Sequence, residues 1–491
     1  MIKVYKKNEV YLRLECDPSV GQELSEWFSF EVPGARFTPK YRARQWDGKI
    51  RLYHMYRKEL YVGLLPYLKE FAKRLDYKVE DNVECVGDTV SYEYIENFAE
   101  KLQLQHDNKD ITANDYQVDA VAHAIREGRS LLLSPTASGK SLIIYLLMRY
   151  HQKFDRKQLI IVPTTTLVEQ MCGDFADYST KNGWSASDNC HGIYGGKEKT
   201  NDKPVVVSTW QSIHRLPKEW FDQFDVIYGD EAHSFKAKSL TSILEKCTKA
   251  SFKIGTTGTL DGSKTNKLVL EGLFGVVKDV ISTKELMDRG NVSELDIVAM
   301  ALDYSDEERK FVKGLAYKDE IAWLIANEKR NTVIKNLAAS QKGNTMVLFR
   351  EIDHGKHLHE IIQKKCPDRK VYLVYGDIDT TKREEIRREI ESESDAILVA
   401  SMGTFSQGIN MKSIRNIIFA RPTKSRIAVL QSIGRGLRKM LGIDKCTLYD
   451  IGDDLQWKSK KNHTLGHMVE RIKAYNEQHF KYKLIRVPMY E

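Results

Sequence analysis

Ser134-Pro-Thr-Ala-Ser-Gly139-Lys140-Ser141 is the stretch that decides the fold, because it joins an apolar run at residues 131–133 to a helical pattern over residues 142–151. A strand, a loop of small residues and a helix in this order are typical of a phosphate-binding loop in a parallel α/β domain. The loop departs from the strict motif because Ser134 stands at the first glycine position. The stretch predicts an α/β fold with a nucleoside triphosphate bound beyond the end of one strand.

The parts of this loop have separate chemical tasks. The start of the helix and the backbone N–H groups of the loop would hold the phosphates. Lys140 would reach the β- and γ-phosphates, and the Ser141 hydroxyl would bind Mg²⁺. The predicted nucleotide-binding residues of the loop are Thr136, Ala137, Ser138, Gly139, Lys140 and Ser141.

Short apolar runs alternate with helical patterns downstream of the loop. One set lies at residues 131–133, 159–162, 205–207, 226–228 and 253–255, and a second set lies at residues 346–349, 371–374, 396–399 and 416–419. Continuous apolar strands between helices are typical of parallel sheets that are covered on both faces. The two sets therefore predict two α/β domains in tandem.

The flanks have different patterns. Residues 1–95 show short alternating strands and a helix near residues 20–29, which indicates a small α+β domain. After Asp453-Asp454 the chain is basic and helical in pattern, with Arg471 among its cations. The boundary between the two α/β domains is expected near residues 290–295, where Gly290-Asn291 signals a turn. The predicted domains are 1–95, 96–290, 291–455 and 456–491.

Composition excludes some classes of protein. The 491 residues are 42% hydrophobic and 29% charged, which is ordinary for a globular protein with large cores. A net charge of +8 permits a polyanionic partner without requiring one. The N-terminal sequence lacks the apolar core of a signal peptide, and the chain has no apolar run long enough to span a membrane. These features predict a cytoplasmic protein with no membrane partner.

Asp230-Glu-Ala-His233 follows the apolar run at residues 226–228, so its carboxylates are expected at the carboxyl edge of the first sheet. Asp230 would hold Mg²⁺ through water, and Glu231 would orient and deprotonate the attacking water. Hydroxyl groups at the next strand end can pass on a change in phosphate state through hydrogen bonds. A solvated acidic turn with an ordinary packed histidine is the alternative. The predicted coupling residues are His233, Thr257 and Thr259.

Asp115-Tyr116-Gln117 precedes an amphipathic helix upstream of the loop. The Gln117 amide offers the donor and acceptor pair needed to bind adenine, and Tyr116 would pack beside the base. A surface glutamine is the alternative interpretation of Gln117 alone.

These segments together resemble the motifs of superfamily 2 helicases and translocases. The matching segments are Gln117 and residues 135–141, 163–167, 230–233, 257–259, 346–350, 401–410 and 431–438. The resemblance implies two RecA-like parallel-sheet domains, with ATP and Mg²⁺ in the cleft between them. It also implies that Arg435 and Arg438 are arginine fingers for the γ-phosphate, and that Gly408 and Gln431 line the cleft.

A closer resemblance is to the UvsW family of helicases of T-even bacteriophages. It includes residues 37–52, 204–211, 217–220 and 405–409, so that it covers nearly the whole chain. The resemblance implies ATP-driven remodelling of branched DNA: R-loop and D-loop unwinding, branch migration and fork regression during recombination, repair and replication. It implies DNA as the substrate, with recombination proteins or single-strand-binding proteins as partners.

DNA tracking needs phosphate contacts on both α/β domains. Hydroxyl and amide donors at strand ends of the first domain, and equivalent donors with a nearby lysine in the second, meet this need. His354, next to this lysine motif, offers a further donor. The predicted residues are Thr164, Thr165 and Gln211 in the first domain and Lys356, Ser401 and Ser406 in the second.

Residues 36–58 form a basic–aromatic segment. Eight basic residues face a single acid, Asp47, with five aromatic residues between them. Such interleaving suits phosphate contact with base stacking. The alternative is a solvated strand face over a core in which Phe37 and Trp46 are buried. Arg42, Arg44, Trp46 and Lys49 are the predicted DNA-binding residues of this segment.

Three other functions fit parts of the pattern. An RNA helicase would act on RNA duplexes, and a restriction-type DNA motor would need a nuclease partner. A DNA clamp switched by nucleotide would not hydrolyse it, but such a clamp could dispense with Lys140, Glu231, Arg435 and Arg438, all of which are present.

Overall fold

The computed structural model describes the chain except for residues 33, 85, 200–201, 237, 261–263, 407–412, 422–444 and 490–491. The side chains of residues 236, 264, 265, 380, 381, 405 and 406 are also outside the description. The chain divides into two compact units, residues 1–134 with 139–281, and residues 135–138 with 282–491. The division falls at Ile281, before the boundary expected near residues 290–295.

The N-terminal part of the first unit is a five-stranded sheet with helices. The sheet order is β5-β6-β2-β1-β7, in which β1 and β7 are parallel and the other pairs are antiparallel. A separate two-stranded ribbon pairs β3 with β4. The elements are β1 (Ile2–Lys6), β2 (Tyr11–Glu15), α1 (Pro18–Trp27), β3 (Ser29–Glu31), α2 (Pro39–Arg42), β4 (Lys49–Arg51), β5 (Tyr53–His54), β6 (Glu59–Tyr61), α3 (Leu65–Arg74) and β7 (Val79–Asn82).

The rest of the first unit is a parallel α/β domain. Its seven strands lie in the order β12-β13-β11-β14-β15-β10-β16, and all described pairs are parallel. Its elements are α4 (Tyr92–Lys101), β8 (Gln105–His106), β9 (Lys109–Asp110), α5 (Asp115–Glu127), β10 (Arg129–Leu133), α6 (Lys140–Gln152), β11 (Gln158–Val162), α7 (Thr165–Tyr178), α8 (Ala186–Asn189), β12 (Cys190–Ile193), β13 (Val205–Thr209), α9 (Trp210–Ile213), α10 (Lys218–Phe221), β14 (Val226–Asp230), α11 (Lys238–Lys246), β15 (Phe252–Thr257), α12 (Lys264–Phe274) and β16 (Val277–Asp279).

The N-terminal sheet and this α/β domain share one hydrophobic core. Ile2 and Phe71 of the N-terminal part belong to the same buried cluster as Leu131 and Phe274 of the α/β domain. Side-chain contacts reinforce the junction, because the Tyr61 hydroxyl donates to the Glu245 carboxylate over 2.7 Å. The N-terminal part is therefore packed firmly on the domain that carries the phosphate-binding loop.

A buried polar contact lies at the same junction. Glu9, in the turn between β1 and β2, accepts hydrogen bonds at its backbone carbonyl from Arg129 and Lys253 at the amino ends of β10 and β15. The Arg129 guanidinium also pairs with the Glu9 carboxylate at 3.1 Å. Burial, with the charge of Arg129, lowers the pKa of Lys253 to about 7. The hydrogen bonds to the Glu9 carbonyl and the ion pair with Arg129 hold the turn against the sheet. Breaking either contact would leave buried polar groups without a partner, which costs free energy.

We expect Gly63→Ala to disturb this junction. A Cβ atom on Gly63 would lie 2.0 Å from the backbone oxygen of Glu271, which cannot rotate away. The overlap should lower the free energy of unfolding of the first unit by about 1–3 kcal/mol. Gly173→Ala is the matched control, because its Cβ in helix α7 would meet no atom within 4 Å and should stabilise by up to about 1 kcal/mol. Urea titrations of both variants measure the difference, and equal effects would contradict the close packing.

The second unit is a second parallel α/β domain. Its sheet order is β19-β20-β18-β21-β22-β17-β23, and all described pairs are parallel. Within the described residues, no helix has the length and apolar character required to cross a membrane. The elements are α13 (Thr283–Asp288), β17 (Glu294–Asp303), α14 (Asp306–Val312), α15 (Tyr317–Ala326), α16 (Glu328–Ser340), β18 (Thr345–Phe349), α17 (Ile352–Lys365), β19 (Val371–Val374), α18 (Thr380–Ser392), β20 (Ile397–Ser401), α19 (Met402–Ser406), β21 (Asn416–Phe419), β22 (Lys445–Asp454), α20 (His463–Glu477) and β23 (Tyr482–Pro488).

The C-terminal segment is part of this second sheet. Helix α20 agrees with the helical pattern, but the chain then forms strand β23, which pairs with β17 and was not predicted. Arg471 of α20 is fully buried rather than solvated, and its guanidinium binds the Asp450 carboxylate of β22. Residues 456–491 therefore complete the second domain, because the ion pair and strand pairing join them to its sheet.

Candidate functional site

The phosphate-binding loop contains two residues in the left-handed backbone region. Strand β10 ends at Leu133 and helix α6 begins at Lys140, with Gly139 at the N-cap position. Gly139 has a φ of 79° and Ala137 a φ of 69°. Glycine adopts this left-handed region without steric cost, whereas alanine rarely does. Left-handed positions in a loop before a helix turn backbone N–H groups toward one point, which suits an anion.

Gln117 lies directly against this loop. A Cβ atom on Gly139 would be 2.2 Å from the Gln117 side-chain nitrogen, so a larger residue at position 139 would displace the Gln117 amide. The Gln117 side-chain oxygen accepts a hydrogen bond from the Asn114 backbone over 2.8 Å and forms the capping box of α5. Tyr116 is only 7% exposed, which leaves little ring surface for a base. The structure thus supports a loop contact for Gln117 and argues against stacking on Tyr116.

Lys140 lies between the loop and the acidic segment. Its Nζ donates to the Ser134 backbone oxygen over 3.4 Å and lies 4.0 Å from a Glu231 carboxylate oxygen. The Ser141 hydroxyl is 3.0 Å from the Tyr178 hydroxyl. A positive charge, a carboxylate and a hydroxyl therefore surround the start of α6.

The two carboxylates of the acidic segment have different environments. Asp230, the last residue of β14, is 8% exposed and accepts a hydrogen bond from the Thr256 hydroxyl over 2.8 Å. Burial raises the pKa of Asp230, the charge of Glu231 raises it further, and Lys140 lowers it. Glu231 has a φ of 50°, a conformation that is uncommon for this residue type and is often found at functional sites. The arrangement suits a cation beside Asp230 and a separate chemical task for Glu231.

His233 connects the acidic segment to the end of β15. Its Nδ1 is 3.0 Å from the Thr257 hydroxyl, which in turn donates to the backbone oxygen of Thr259 over 3.0 Å. His233 Nδ1 also lies 3.3 Å from a Glu231 carboxylate oxygen. The Ser134 N–H donates to the Thr257 carbonyl over 2.8 Å, so the same strand end also touches the start of the loop.

Sheet topology explains why these distant segments meet. In the order β14-β15-β10, the strands are parallel and neighbouring, so Asp230, Thr257 and the loop all lie beyond the same carboxyl edge. Ligands of open α/β sheets bind at this edge.

Sequence reasoning missed Thr256 and Tyr178, which bind Asp230 and Ser141. Thr256 stands opposite Asp230 in the β14–β15 register. The hydrogen bond from Thr256 to Asp230 can be inferred only once β14 and β15 are known to be neighbours. Tyr178 gave no sequence signal because it lies at the far end of α7.

The donors predicted to contact DNA in the first unit also lie along this edge. Thr164 caps helix α7 by accepting from the Leu167 N–H, and Thr165 is exposed in the first turn. The exposed Gln211 amide donates to the Pro163 backbone oxygen over 3.3 Å, so the two segments are adjacent.

In the second unit, Ser401 ends β20 and caps α19, with its hydroxyl 2.7 Å from that of Thr404. Lys356 on α17 is exposed, with its Nζ 5.6 Å from the Tyr375 ring centre. His354 does not meet the expectation, because it is buried against Asn331 and burial lowers the pKa of its imidazole to about 3. It therefore stays neutral and unavailable to phosphate at neutral pH.

Gly408, Gln431, Arg435 and Arg438 lie outside the described residues, and the side chain of Ser406 is also outside them.

The basic–aromatic segment is exposed. All eight of its basic side chains, including Arg42, Arg44 and Lys49, lie at the surface. Phe37 is 71% exposed, against the alternative in which it is buried. Trp46 is half-buried and its indole N–H donates to the Lys49 backbone oxygen over 2.8 Å, so it braces the segment.

Three protein-family models match the chain. A model of the N-terminal domain of the DNA helicase UvsW matches residues 1–81. A model of the res subunit of type III restriction enzymes matches residues 110–262, and one of the conserved C-terminal helicase domain matches residues 328–440.

Comparison with individual proteins extends the match to the whole chain. The chain is 36% identical to the ATP-dependent DNA helicase uvsW of Enterobacteria phage T4, over 98% of each sequence. The crystal structure of T4 UvsW matches with a TM-score of 0.54 and covers 99% of each chain. A DNA 3'-5' translocase, XPB2 of Sulfurisphaera tokodaii, is 22% identical over 70% of this chain and 82% of its own length. The chain therefore belongs to the UvsW family of ATP-dependent DNA helicases.

Proposed function

We propose that this helicase remodels branched DNA, by unwinding R-loops and D-loops and by driving branch migration and fork regression in recombination, repair and replication. The observation that carries the proposal is the exposure of the basic–aromatic segment in the N-terminal part of the first unit. Basic side chains suit duplex phosphates and exposed aromatic rings suit unpaired bases, and a branch point presents both. Recombination proteins and single-strand-binding proteins would share this substrate, and the work would take place in the cytoplasm of a bacterial host.

The shared core supports this assignment. Because the N-terminal sheet packs into the same hydrophobic cluster as β10 and α12, the segment moves with the domain that binds ATP. A DNA grip attached in this way keeps a constant position relative to the phosphate-binding loop. Force produced by ATP hydrolysis is then transmitted directly to the DNA, because the shared core, and not a flexible linker, joins the N-terminal sheet to this domain.

The nucleotide site supports separate roles for its residues. Gly139 and the start of α6 would hold the phosphates, and Lys140 would neutralise their charge. Asp230 and Ser141 fit Mg²⁺, because a buried carboxylate beside a second carboxylate and a hydroxyl is a set of hard oxygen donors. The metal would neutralise charge that develops on the phosphates. Glu231 would accept a proton from the attacking water. His233 and Thr257 would pass the change in phosphate state to the edge of the sheet through their hydrogen bonds.

A charge-reversal variant tests the proposal. Changing Arg42, Arg44 and Lys49 together to Glu should weaken binding to forked DNA at low salt, because each side chain is exposed and free to meet phosphate. The slope of log affinity against log salt concentration should fall by about 2 to 3 if each side chain binds one phosphate. The same variant should lose ATP-dependent strand displacement on forks and R-loops.

The control carries the same change in charge elsewhere on the first unit. Lys73, Lys101 and Lys109 are exposed, and their conversion to Glu should leave fork binding close to that of the unmodified protein. Equal losses in both triple variants would show a general charge effect. Unchanged fork binding in the first variant, or equal displacement of RNA duplexes by the unmodified protein, would contradict the proposed substrate.

A further inference from the structure

The turn between β5 and β6 displays an unusual side chain. Tyr56 is 95% exposed, the highest value among the exposed large hydrophobic side chains of the described residues. Its ring centre lies 6.4 Å from that of His54. A large aromatic ring at a turn tip therefore contributes almost nothing to the core.

The turn itself is well anchored. The Arg57 N–H donates to His54 Nδ1 over 3.2 Å, and the Leu14 N–H of β2 donates to the Lys58 carbonyl over 2.8 Å. Lys58 has a φ of 55°, which closes the four-residue turn. The backbone presents Tyr56 in a defined place, so its exposure does not result from a frayed end.

Two other aromatic residues of the basic–aromatic segment have structural tasks. Tyr53 is 2% exposed and belongs to the core, while Trp46 is bound to the Lys49 carbonyl. Single exposed apolar residues are ordinary on protein surfaces. Here, however, Phe37, Tyr41, Met55 and Tyr56 are all exposed within one short segment, and Arg57 and Lys58 flank the last ring. This concentration of apolar surface among cations fits a ligand that carries both flat rings and negative charge.

We propose that Tyr56 stacks on an unpaired base at the branch point, so that the N-terminal domain recognises the junction between duplex and single strand. The inference rests on the proposed function, in which the same segment grips DNA. Bases inside a duplex are already stacked on their neighbours, and only an end or a branch offers a free base face. Lys49, one of the predicted DNA-binding cations, is seven residues before Tyr56, so their Cα atoms are at most about 25 Å apart, or roughly seven base steps of DNA. The cations hold the duplex phosphates while the ring meets the first open base.

Binding measurements with two DNA probes test the inference. One probe is a fork with 2-aminopurine at the branch, and the other is a relaxed, covalently closed circular duplex, which has neither an end nor a branch. Tyr56→Ala should reduce the preference for the fork by about tenfold while leaving affinity for the closed duplex unchanged. Tyr56→Trp should retain the preference and the change in 2-aminopurine fluorescence, because an indole ring also stacks. Leu75→Ala, which removes a 44% exposed side chain from the same domain, should behave as the unmodified protein.

The outcomes distinguish base stacking by Tyr56 from DNA binding by the basic–aromatic segment. If Tyr56→Ala lowers fork and duplex affinity equally, or changes neither, the stacking role is wrong. Loss of the preference in Tyr56→Trp would also contradict stacking. Failure of the Arg42, Arg44 and Lys49 variant to weaken either probe would instead overturn the DNA grip itself, whatever the result at Tyr56.

Discussion

Glu231→Gln should reduce DNA-stimulated ATP hydrolysis by about 10²- to 10⁴-fold, the contribution typical of a positioned general base. The amide keeps the size of the side chain but cannot accept the proton of the attacking water. ATP affinity should be retained, because Gly139, Lys140 and the start of α6 remain in place. Phosphate release in the presence of DNA measures the first effect, and equilibrium binding of a fluorescent ATP analogue measures the second.

Two further variants define the meaning of that result. Glu93→Gln changes an exposed glutamate on α4 and should leave hydrolysis unchanged. Lys140→Ala should lose ATP affinity as well as hydrolysis, because the cation that faces the phosphates is removed. Hydrolysis at the normal rate by Glu231→Gln would refute the general-base role, and parallel loss of ATP affinity would assign Glu231 to nucleotide binding instead.

Arg471→Met should destabilise the second unit by about 3–5 kcal/mol, the cost of leaving a buried charge without its partner. Arg471 and Asp450 are both fully buried, with 2.7 Å between the guanidinium and the carboxylate. The Tyr475 hydroxyl also donates to Asp450 over 2.9 Å, so a whole network depends on the charge balance. Hydrogen exchange of the β22 amides under native conditions measures the loss, because β22 pairs with β17 and β21 in the sheet.

A double variant shows whether the uncompensated charge of Asp450 causes the loss of stability. Asp450→Asn combined with Arg471→Met removes both charges and keeps an acceptor for Tyr475, so it should be more stable than Arg471→Met alone. Lys473→Met breaks an exposed pair with Glu470 and should cost no more than about 0.5 kcal/mol. If Lys473→Met and Arg471→Met had equal effects, the buried pair would not be what holds α20 to the sheet.

The main strands were predictable because their patterns are local. The runs at residues 159–162, 205–207 and 346–349 became β11, β13 and β18, since continuous aliphatic residues form strands buried on both faces. The α/β fold, the helicase activity and the resemblance to UvsW are confirmed by the match over 98% of the chain. The non-enzymatic clamp is correspondingly excluded.

Other elements depended on distant partners. Strand β17 begins at the boundary expected between the two α/β domains, near residues 290–295, yet it pairs with β22 and β23 from the far end of the chain. Exposed and buried residues alternate at the start of β17, and nothing in its local sequence shows that two C-terminal strands will flank it. The sequence presents Arg471 only as one cation of the basic C-terminal segment, because it does not show that Asp450 will lie beside it.

The sequence by itself determined the use of ATP and the two parallel sheets, because the phosphate-binding loop, the acidic segment and the apolar runs are short patterns whose physics is local. Only the tertiary structure decided which residues share an environment. Strand order brought Thr256 to Asp230, burial removed His354 from the surface, and a shared core fixed the N-terminal sheet to the phosphate-binding domain. Contacts of this kind join residues far apart in the chain, and their free energy appears only when packing excludes water between them.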